Sequence, residues 1–117
     1  SMYFARADYV QKNSATVESV LEAILRTHRS AEERPASIKE NALRLLPETK
    51  PELIEATAAA YKELRIWDVN GGASKDRGDA SIKFFEESGL LKKDAVSFKQ
   101  AFDTAPLDKV LNKIGRK

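Results

Sequence analysis

The chain has no cysteine among its 117 residues, so disulfide bonds, thiolate metal sites and a cysteine nucleophile are excluded. Long apolar runs are also lacking, and none approaches the ~20 residues that span a bilayer. The opening residues Ser1-Met2-Tyr3-Phe4 carry neither the basic region nor the apolar stretch of a signal peptide. The chain also lacks an excess of either sign of charge, because 20 basic and 18 acidic residues are interspersed and leave a net charge of +2. We therefore predict no nucleic-acid partner, since such proteins display a basic patch.

What the chain does contain is typical of a small globular protein, with 42% apolar and 32% charged residues. Its length suits one domain, or a fragment of a larger one, spanning residues 1–117. Ser1-Met2 resembles the remnant of an expression tag. The predicted architecture is mainly α-helical, with one short strand over residues 3–10 and a helical region over residues 13–117.

The strand prediction rests on residues 3–10, with the sequence YFARADYV. Tyr3 and Ala5 alternate with Phe4 and Arg6, and aromatic and β-branched residues are common in strands. A lone strand has no hydrogen-bonded partner and is unstable, and no other segment has a convincing strand pattern. Three interpretations stay open: the segment pairs with a second copy of the chain, it pairs with sequence outside the chain, or it is not a strand.

Five to six helices are predicted from apolar residues spaced three and four positions apart. Capping residues mark several ends, notably a capping box at Thr49 and Glu52 and a terminal glycine at Gly89, after which Leu90 is expected to pack back on Phe85. The predicted limits, in chain order, are Asn13 or Ser14 to about Arg29–Glu33, Pro35 to Pro47, Thr49 to about Trp67, Ser74 or Asp76 to Gly89, a single turn with a capping-box pattern from Ser97 to Gln100, and Thr104 to Gly115.

Residue types that carry out catalysis are present, but not in a catalytic spacing. His28 is the only histidine, and the spacing places no nucleophile or carboxylate beside it, which favours a packing or capping role. The pairs Glu32-Glu33 and Glu86-Glu87 point to different sides of a helix because they are adjacent in sequence. We therefore predict no catalytic residue, no cofactor and no enzymatic activity.

The loop from Asp68 to Asp79 most resembles a ligand site. A calcium loop needs an oxygen ligand at position 5, glycine at 6 and glutamate at 12. Counted from Asp68, these positions hold Gly72, Ala73 and Asp79, so the calcium interpretation is disfavoured. Asn70-Gly71-Gly72 also lacks the Gly-Lys-Ser/Thr ending of a phosphate-binding loop and does not follow a strand. We predict no metal site here, but a tight turn between helices with Asp76 and Asp79 near the next helix start.

Aromatic side chains offer a second kind of candidate site. Tyr3, Tyr9, Tyr61 and Trp67 could stack on a ligand, but aromatic residues near a loop more often anchor the core. Trp67, the only tryptophan, is interpreted as the anchor of the corner that follows the third predicted helix.

The order of these segments resembles the C-terminal portion of ABC-transporter substrate-binding proteins of the nitrate, sulfonate and taurine type. That group is related to the thiamine-precursor-binding proteins. The resemblance covers nearly the whole chain and is carried by ADYVQKN (7–13), LRLLP (43–47), Trp67 with Asn70-Gly71-Gly72, FFEESGLLKK (84–93), and Phe98 with Phe102-Asp103 and Leu107.

The resemblance implies a type II periplasmic binding protein fold, in which two α/β lobes enclose a small solute. It also implies an ABC permease as partner and a periplasmic or lipid-anchored location for the full-length protein. The first lobe's sheet and the whole second lobe have no counterpart in these 117 residues, and the family's main ligand contacts lie largely there. We therefore assign no ligand-binding residue. In the full fold, the early strand would join the first lobe's sheet and the helices would pack outside it.

Two alternatives remain open. One is an enzyme of the same superfamily resembling the thiamine-pyrimidine synthases, whose chemistry relies on histidine and cysteine. The other is a free-standing helical protein-interaction module. Helices built to cover an absent sheet would leave an apolar face bare, and burying it is worth ~25 cal/mol per Å². The fragment interpretation therefore predicts a homo-oligomer that buries Tyr3–Val10 and part of the first or third predicted helix.

Overall fold

The structure is a computed structural model that describes residues 3–72 and 74–117. The prediction of a mainly helical chain is confirmed within those residues, although they form seven helices where five to six were predicted. The helices, in chain order, are α1 (Ala7–Lys12), α2 (Ser14–Glu33), α3 (Ala36–Leu45), α4 (Pro51–Glu63), α5 (Lys75–Glu87), α6 (Phe98–Ala101) and α7 (Ala105–Ile114). The interpretation of Ser1-Met2 as a tag remnant lies outside the described residues.

The predicted strand over residues 3–10 is wrong. Residues 7–12 form α1, and no strand occurs in residues 3–72 or 74–117. Without a partner strand, the backbone groups find hydrogen bonds within a helix instead. Asp8 supplies negative charge to the first turn and pairs with Arg6 at 3.0 Å, which stabilises the helix start. The Asn13 side chain donates to the Tyr9 carbonyl at 3.0 Å and closes the other end.

The core lies where α2 crosses α7. Leu25, Val110 and Leu111 are buried there. Leu21, Leu107 and Ile114 pack around them. Each fully buried aliphatic side chain stabilises the fold by about 1.5–3 kcal/mol. Within each helix these residues recur at the three- and four-residue spacing from which the helices were predicted, and the structure brings the two apolar stripes together.

The helix caps agree with the sequence at three of four tested positions. Ser74 accepts from the Arg77 amide. Ser97 and Gln100 form the expected capping box. Gly89 and Leu90 donate to the Glu86 and Phe85 carbonyls in a Schellman arrangement, although Leu90 stays exposed.

The fourth prediction, a capping box at Thr49, is wrong. Lys50 occupies the N-cap of α4, with no side-chain cap bond, so the expected Thr49–Glu52 box does not form. Pro51 at the first helical position sets the helix start instead. The same helix ends at Glu63 and not near Trp67. Arg65 takes a φ of +47°, and the chain turns there.

The arrangement is open for a chain of this size. Its accessible surface is 9051 Å², whereas a compact monomer of 13.0 kDa exposes about 6,300 Å². Its radius of gyration is 16.8 Å, whereas a compact domain of this length has a radius of about 13 Å. The helices therefore leave much apolar surface uncovered, most visibly along the hairpin formed by α3 and α4.

Candidate functional site

Several side chains singled out from the sequence meet where the loop after α4 returns to α2. His28 Nδ1 lies 3.0 Å from the Asp68 carbonyl oxygen, so this nitrogen carries the hydrogen and donates it. The His28 ring lies against Trp67, with centroids 5.3 Å apart, and the edge of Tyr61 meets Trp67 at 5.6 Å. His28 and Trp67 therefore have the packing and anchoring roles expected for them.

Arg29 is a buried, hydrogen-bonded residue of this corner that the sequence did not single out. It is buried, and its Nε donates to the Val69 carbonyl at 2.9 Å. Its Nη2 and Nη1 donate to the Gly115 and Ile114 carbonyls at 2.6 and 3.3 Å. A cation at a helix C-terminus is favoured by the helix dipole. One signal could have found it: Arg29 lies four positions after Leu25, on the buried stripe of α2.

The oxygen-rich loop is held together by its own contacts. The Asp68 carboxylate accepts from the Asn70 amide at 2.8 Å and from Arg77 Nη1 at 2.7 Å. The Asn70 side chain donates to the Lys117 carbonyl at 2.6 Å and accepts from its amide at 3.0 Å. Asp79 pairs with Lys75, and its side chain does not join this group. These carboxylates and amides thus fasten the loop and the C-terminus, and position 6 of the calcium pattern, Ala73, lies outside the described residues.

Gly71 is required by the close approach of this loop to the core. Its φ is +87°, and a Cβ placed there would lie 3.0 Å from Leu107 and 3.4 Å from Leu25. Only glycine combines this backbone conformation with that contact. The predicted tight turn at Asn70-Gly71-Gly72 is therefore present, and it also packs against Leu107 and Leu25 of the core.

A cavity of about 390 Å³ opens beside the ends of α2 and α7. It is lined by Arg26, Arg29, Ser30, Glu33, Lys113, Ile114 and Lys117. Glu22 binds Lys113 at 2.7 Å and Arg26 at 2.7 Å, while Lys117 pairs with Glu33. Hydrogen bonds first from Lys113 and then from Arg26 hold the pKa of Glu22 below its ordinary value of 4.5. Arg26, Lys113 and Lys117 already have anionic partners, and Arg29 already donates to backbone carbonyls, which disfavours an anion-binding role.

The second concave surface is the α3–α4 groove, of about 240 Å³. It is lined by Ile38, Ala42, Leu46, Thr49, Leu53, Ile54, Thr57, Ala58 and Tyr61. Ile54 is buried at its floor, whereas Leu46 and Leu53 on its rim are 53% and 60% exposed. Lys39 and Glu55 form an ion pair between the two helices. The groove is therefore a mostly apolar cleft on the surface of the chain.

Other sequence candidates are separate from both surfaces. Tyr3 and Tyr9 are exposed, so the prediction that they anchor a core is wrong for these two residues. Glu86 accepts from the Asp94 amide at 2.7 Å, which orders the turn after α5. Within residues 3–72 and 74–117, no three His, Asp or Glu side chains come together in a way that could hold a metal ion. In the same described part of the chain, no helix is long and apolar enough to cross a membrane.

Comparison with known proteins does not assign the chain to a family. No family model, no curated protein and no solved structure matches it. The resemblance to substrate-binding proteins therefore stays a prediction carried by the motifs themselves.

Proposed function

We propose that this chain is the C-terminal helical part of the solute-binding component of an ABC importer. Two things support the proposal. The first is the order of sequence motifs that resemble that portion of the family. The second, which carries most weight, is the uncovered apolar surface of the folded chain.

The uncovered surface has the character of an internal face in a larger protein. Large apolar side chains with more than half of their surface exposed include Leu45, Leu46, Leu53, Leu64, Phe84 and Leu90. Isolated exposed apolar residues are ordinary, but large contiguous patches mark interaction surfaces. Burying ~400 Å² of such surface would contribute on the order of 10 kcal/mol. Helices that pack against the sheets of two α/β lobes would gain this energy.

In the proposed protein these helices are scaffold. Solute contacts come from the two lobes, so no residue of this chain is assigned to ligand binding. The permease partner and the periplasmic or lipid-anchored location belong to the same proposal. Transport is favoured over catalysis because His28, the only histidine, already donates to the Asp68 carbonyl and packs on Trp67.

The direct test is the coding sequence that precedes Tyr3 in the parent gene. The proposal predicts an upstream region that encodes a signal peptide and two α/β lobes. A start codon immediately before Tyr3, with no lobes upstream, would contradict it. Thermal-shift measurements of the 117-residue chain with taurine, nitrate and pyrimidine ligands should show no stabilisation, because the solute contacts lie elsewhere. A clear shift would refute that part of the proposal.

The α3–α4 groove favours a second candidate, a free-standing module that binds an apolar helix of a partner protein. Helix-in-groove recognition uses apolar anchors spaced along one helix face. The dye anilinonaphthalene sulfonate can report an open apolar groove in a monomeric module. Energy transfer from Trp67 to the dye can report where the dye binds, since Tyr61 lines the groove and contacts Trp67.

If the chain is such a module, the wild-type monomer should give dye emission sensitised by Trp67. The double variant Leu46→Gln, Leu53→Gln should lose that emission. Leu64→Gln is the matched control, because Leu64 is exposed but does not line the groove. Equal dye binding by wild type, the double variant and Leu64→Gln would rule the groove out as the binding surface.

A further inference from the structure

We propose that two copies of this chain cover each other's α3–α4 grooves, packing their hairpins face to face into a four-helix bundle around a two-fold axis. The inference concerns the 117-residue chain by itself and does not depend on the importer assignment. The sequence prediction was an oligomer that buries Tyr3–Val10 and part of the first or third predicted helix. The present inference keeps the third predicted helix, which forms α4 (Pro51–Glu63), adds α3, and leaves Tyr3–Val10 out of the interface.

The shape of the hairpin suits this packing. α3 and α4 run side by side, with Ile54 buried between them and Leu46 and Leu53 rising on the rim. Two antiparallel helix pairs of this kind bury their open faces by interdigitating apolar side chains, as four-helix bundles do. Leu46 and Leu53 would then enter the partner hairpin's groove, which is the usual position of residues that dominate an interface.

The available area is sufficient for a stable dimer. A standard protein–protein interface removes about 800 Å² from each partner. This chain exposes about 2,700 Å² more than a compact monomer of its mass. That surplus is spread over the whole chain, and the hairpin contributes the exposed leucines Leu43, Leu45, Leu46, Leu53 and Leu64 to it. Pairing through these leucines leaves the α2–α7 core intact.

The charges of the hairpin favour a second copy over a membrane surface or a nucleic acid. Residues 36–65 contain five basic and five acidic side chains, whose charges cancel. A membrane surface or a nucleic acid would be attracted by an excess of Lys and Arg, which this surface lacks. A neutral surface of mixed sign faces its own copy without net repulsion. Two-fold pairing of identical patches is also the commonest symmetry of soluble oligomers.

Two other apolar patches are less suited to the role. Phe84 lies on the outer side of α5 and is 63% exposed, and Phe4 precedes α1 and is 86% exposed. Neither residue lines the α3–α4 groove or the cavity between α2 and α7. Interface anchors act in pockets that become desolvated on binding, and the hairpin provides an apolar groove of this kind.

The first experiment is sedimentation equilibrium of the whole chain over a range of concentrations. Wild type should form a dimer of about 26 kDa, twice the 13.0 kDa chain. The double variant Leu46→Glu, Leu53→Glu should weaken dimerisation about 10,000-fold, since the dimer loses two anchors from each chain and each lost anchor weakens binding about tenfold. Leu90→Glu is the control and should leave the dimer intact, because Leu90 is an exposed leucine outside the hairpin. Unchanged helicity by circular dichroism would show that the variants fold.

The second experiment locates the interface directly. A mixed dimer of ¹³C-labelled and unlabelled chains should give intermolecular nuclear Overhauser contacts from the Leu46 and Leu53 methyl groups. A monomeric wild type would overturn the inference, and so would a dimer whose contacts come from Phe84 or Phe4. Either result leaves the importer proposal standing, because that proposal is tested by the upstream coding sequence.

Discussion

Replacing Arg29 with methionine should unfasten the C-terminal end of the molecule. Arg29 is buried on α2 and reaches the carbonyls of Val69, Ile114 and Gly115 at 2.9, 3.3 and 2.6 Å. It thus joins three segments that are far apart in sequence. Methionine keeps the length and apolar stem of the side chain but removes every donor, so three carbonyls lose their partner.

The expected cost follows from those bonds. A hydrogen bond that involves a charged group contributes about 1.5–3 kcal/mol net of its exchange with water. Part of this gain is offset by removing the guanidinium from water, which methionine avoids. We therefore expect Arg29→Met to lower the free energy of unfolding by about 3 kcal/mol. That is a large share of the roughly 5–15 kcal/mol that stabilises a typical domain.

Urea unfolding followed by Trp67 fluorescence is the suitable assay, because the only tryptophan lies two residues before Val69. Arg26→Met is the matched control: it makes the same change on the same helix, at an exposed residue paired with Glu22. Exposed ion pairs contribute about 0–1 kcal/mol. If the two variants differ by less than about 0.5 kcal/mol, the structural role assigned to Arg29 is refuted.

Three further predictions concern packing and charge. Gly78→Ala should loosen α6 from α5, because its Cβ would lie 2.3 Å from Phe98 Cδ2. Overpacking costs about 1–3 kcal/mol and offsets the usual alanine gain of about 1 kcal/mol in a helix. Amide hydrogen exchange in both helices should therefore speed up, and unchanged exchange would contradict the contact. Glu22→Gln should flatten the acid end of the plot of unfolding free energy against pH. Lys113 lowers the Glu22 pKa, so the stabilisation from that carboxylate is present above pH 4.5 and is lost as pH falls through the lower folded-state pKa. Equal pH dependence of urea unfolding in wild type and variant would show that the ion pair does not form. Leu25→Ala should cost about 2–5 kcal/mol in thermal or urea unfolding, because it opens a cavity in the α2–α7 core; a loss under about 1 kcal/mol would place the core elsewhere.

Helical periodicity predicted much of the fold because each helix carries its own pattern. The apolar stripe around Leu25 and the one around Leu111 both turned out to face the core. Ends with a local side-chain or glycine signal were also predictable, as at Ser74, Gly89 and Ser97. These features depend on residues a few positions apart, which a single sequence displays.

The errors arose where distant contacts or the absence of a partner decide the outcome. Residues 3–10 alternate like a strand, but an unpaired strand cannot satisfy its backbone, and α1 forms instead. At Thr49 the cap pattern was present, yet Pro51 placed the helix start one residue later. The role of Arg29 depends on carbonyls 40 and 85–86 positions away, and no local pattern indicates that pairing.

The candidate surfaces were only partly predictable for the same reason. The loop at Asn70-Gly71-Gly72 was correctly interpreted as a turn, and Trp67 as its anchor. The α3–α4 groove was not foreseen as a cleft, because its apolar residues looked like ordinary helix stripes. Its openness is a property of the assembled chain, in which no other element covers Leu46 and Leu53 within residues 3–72 and 74–117.

The folded chain is open and leaves its apolar hairpin uncovered, and both the importer proposal and the proposed dimer require this openness. Small-angle X-ray scattering of the variant Leu46→Glu, Leu53→Glu, which should stay monomeric, measures this directly. We predict a radius of gyration near the 16.8 Å of the structure. A value near about 13 Å, that of a compact domain of this length, would show that the helices close on themselves and would contradict the account.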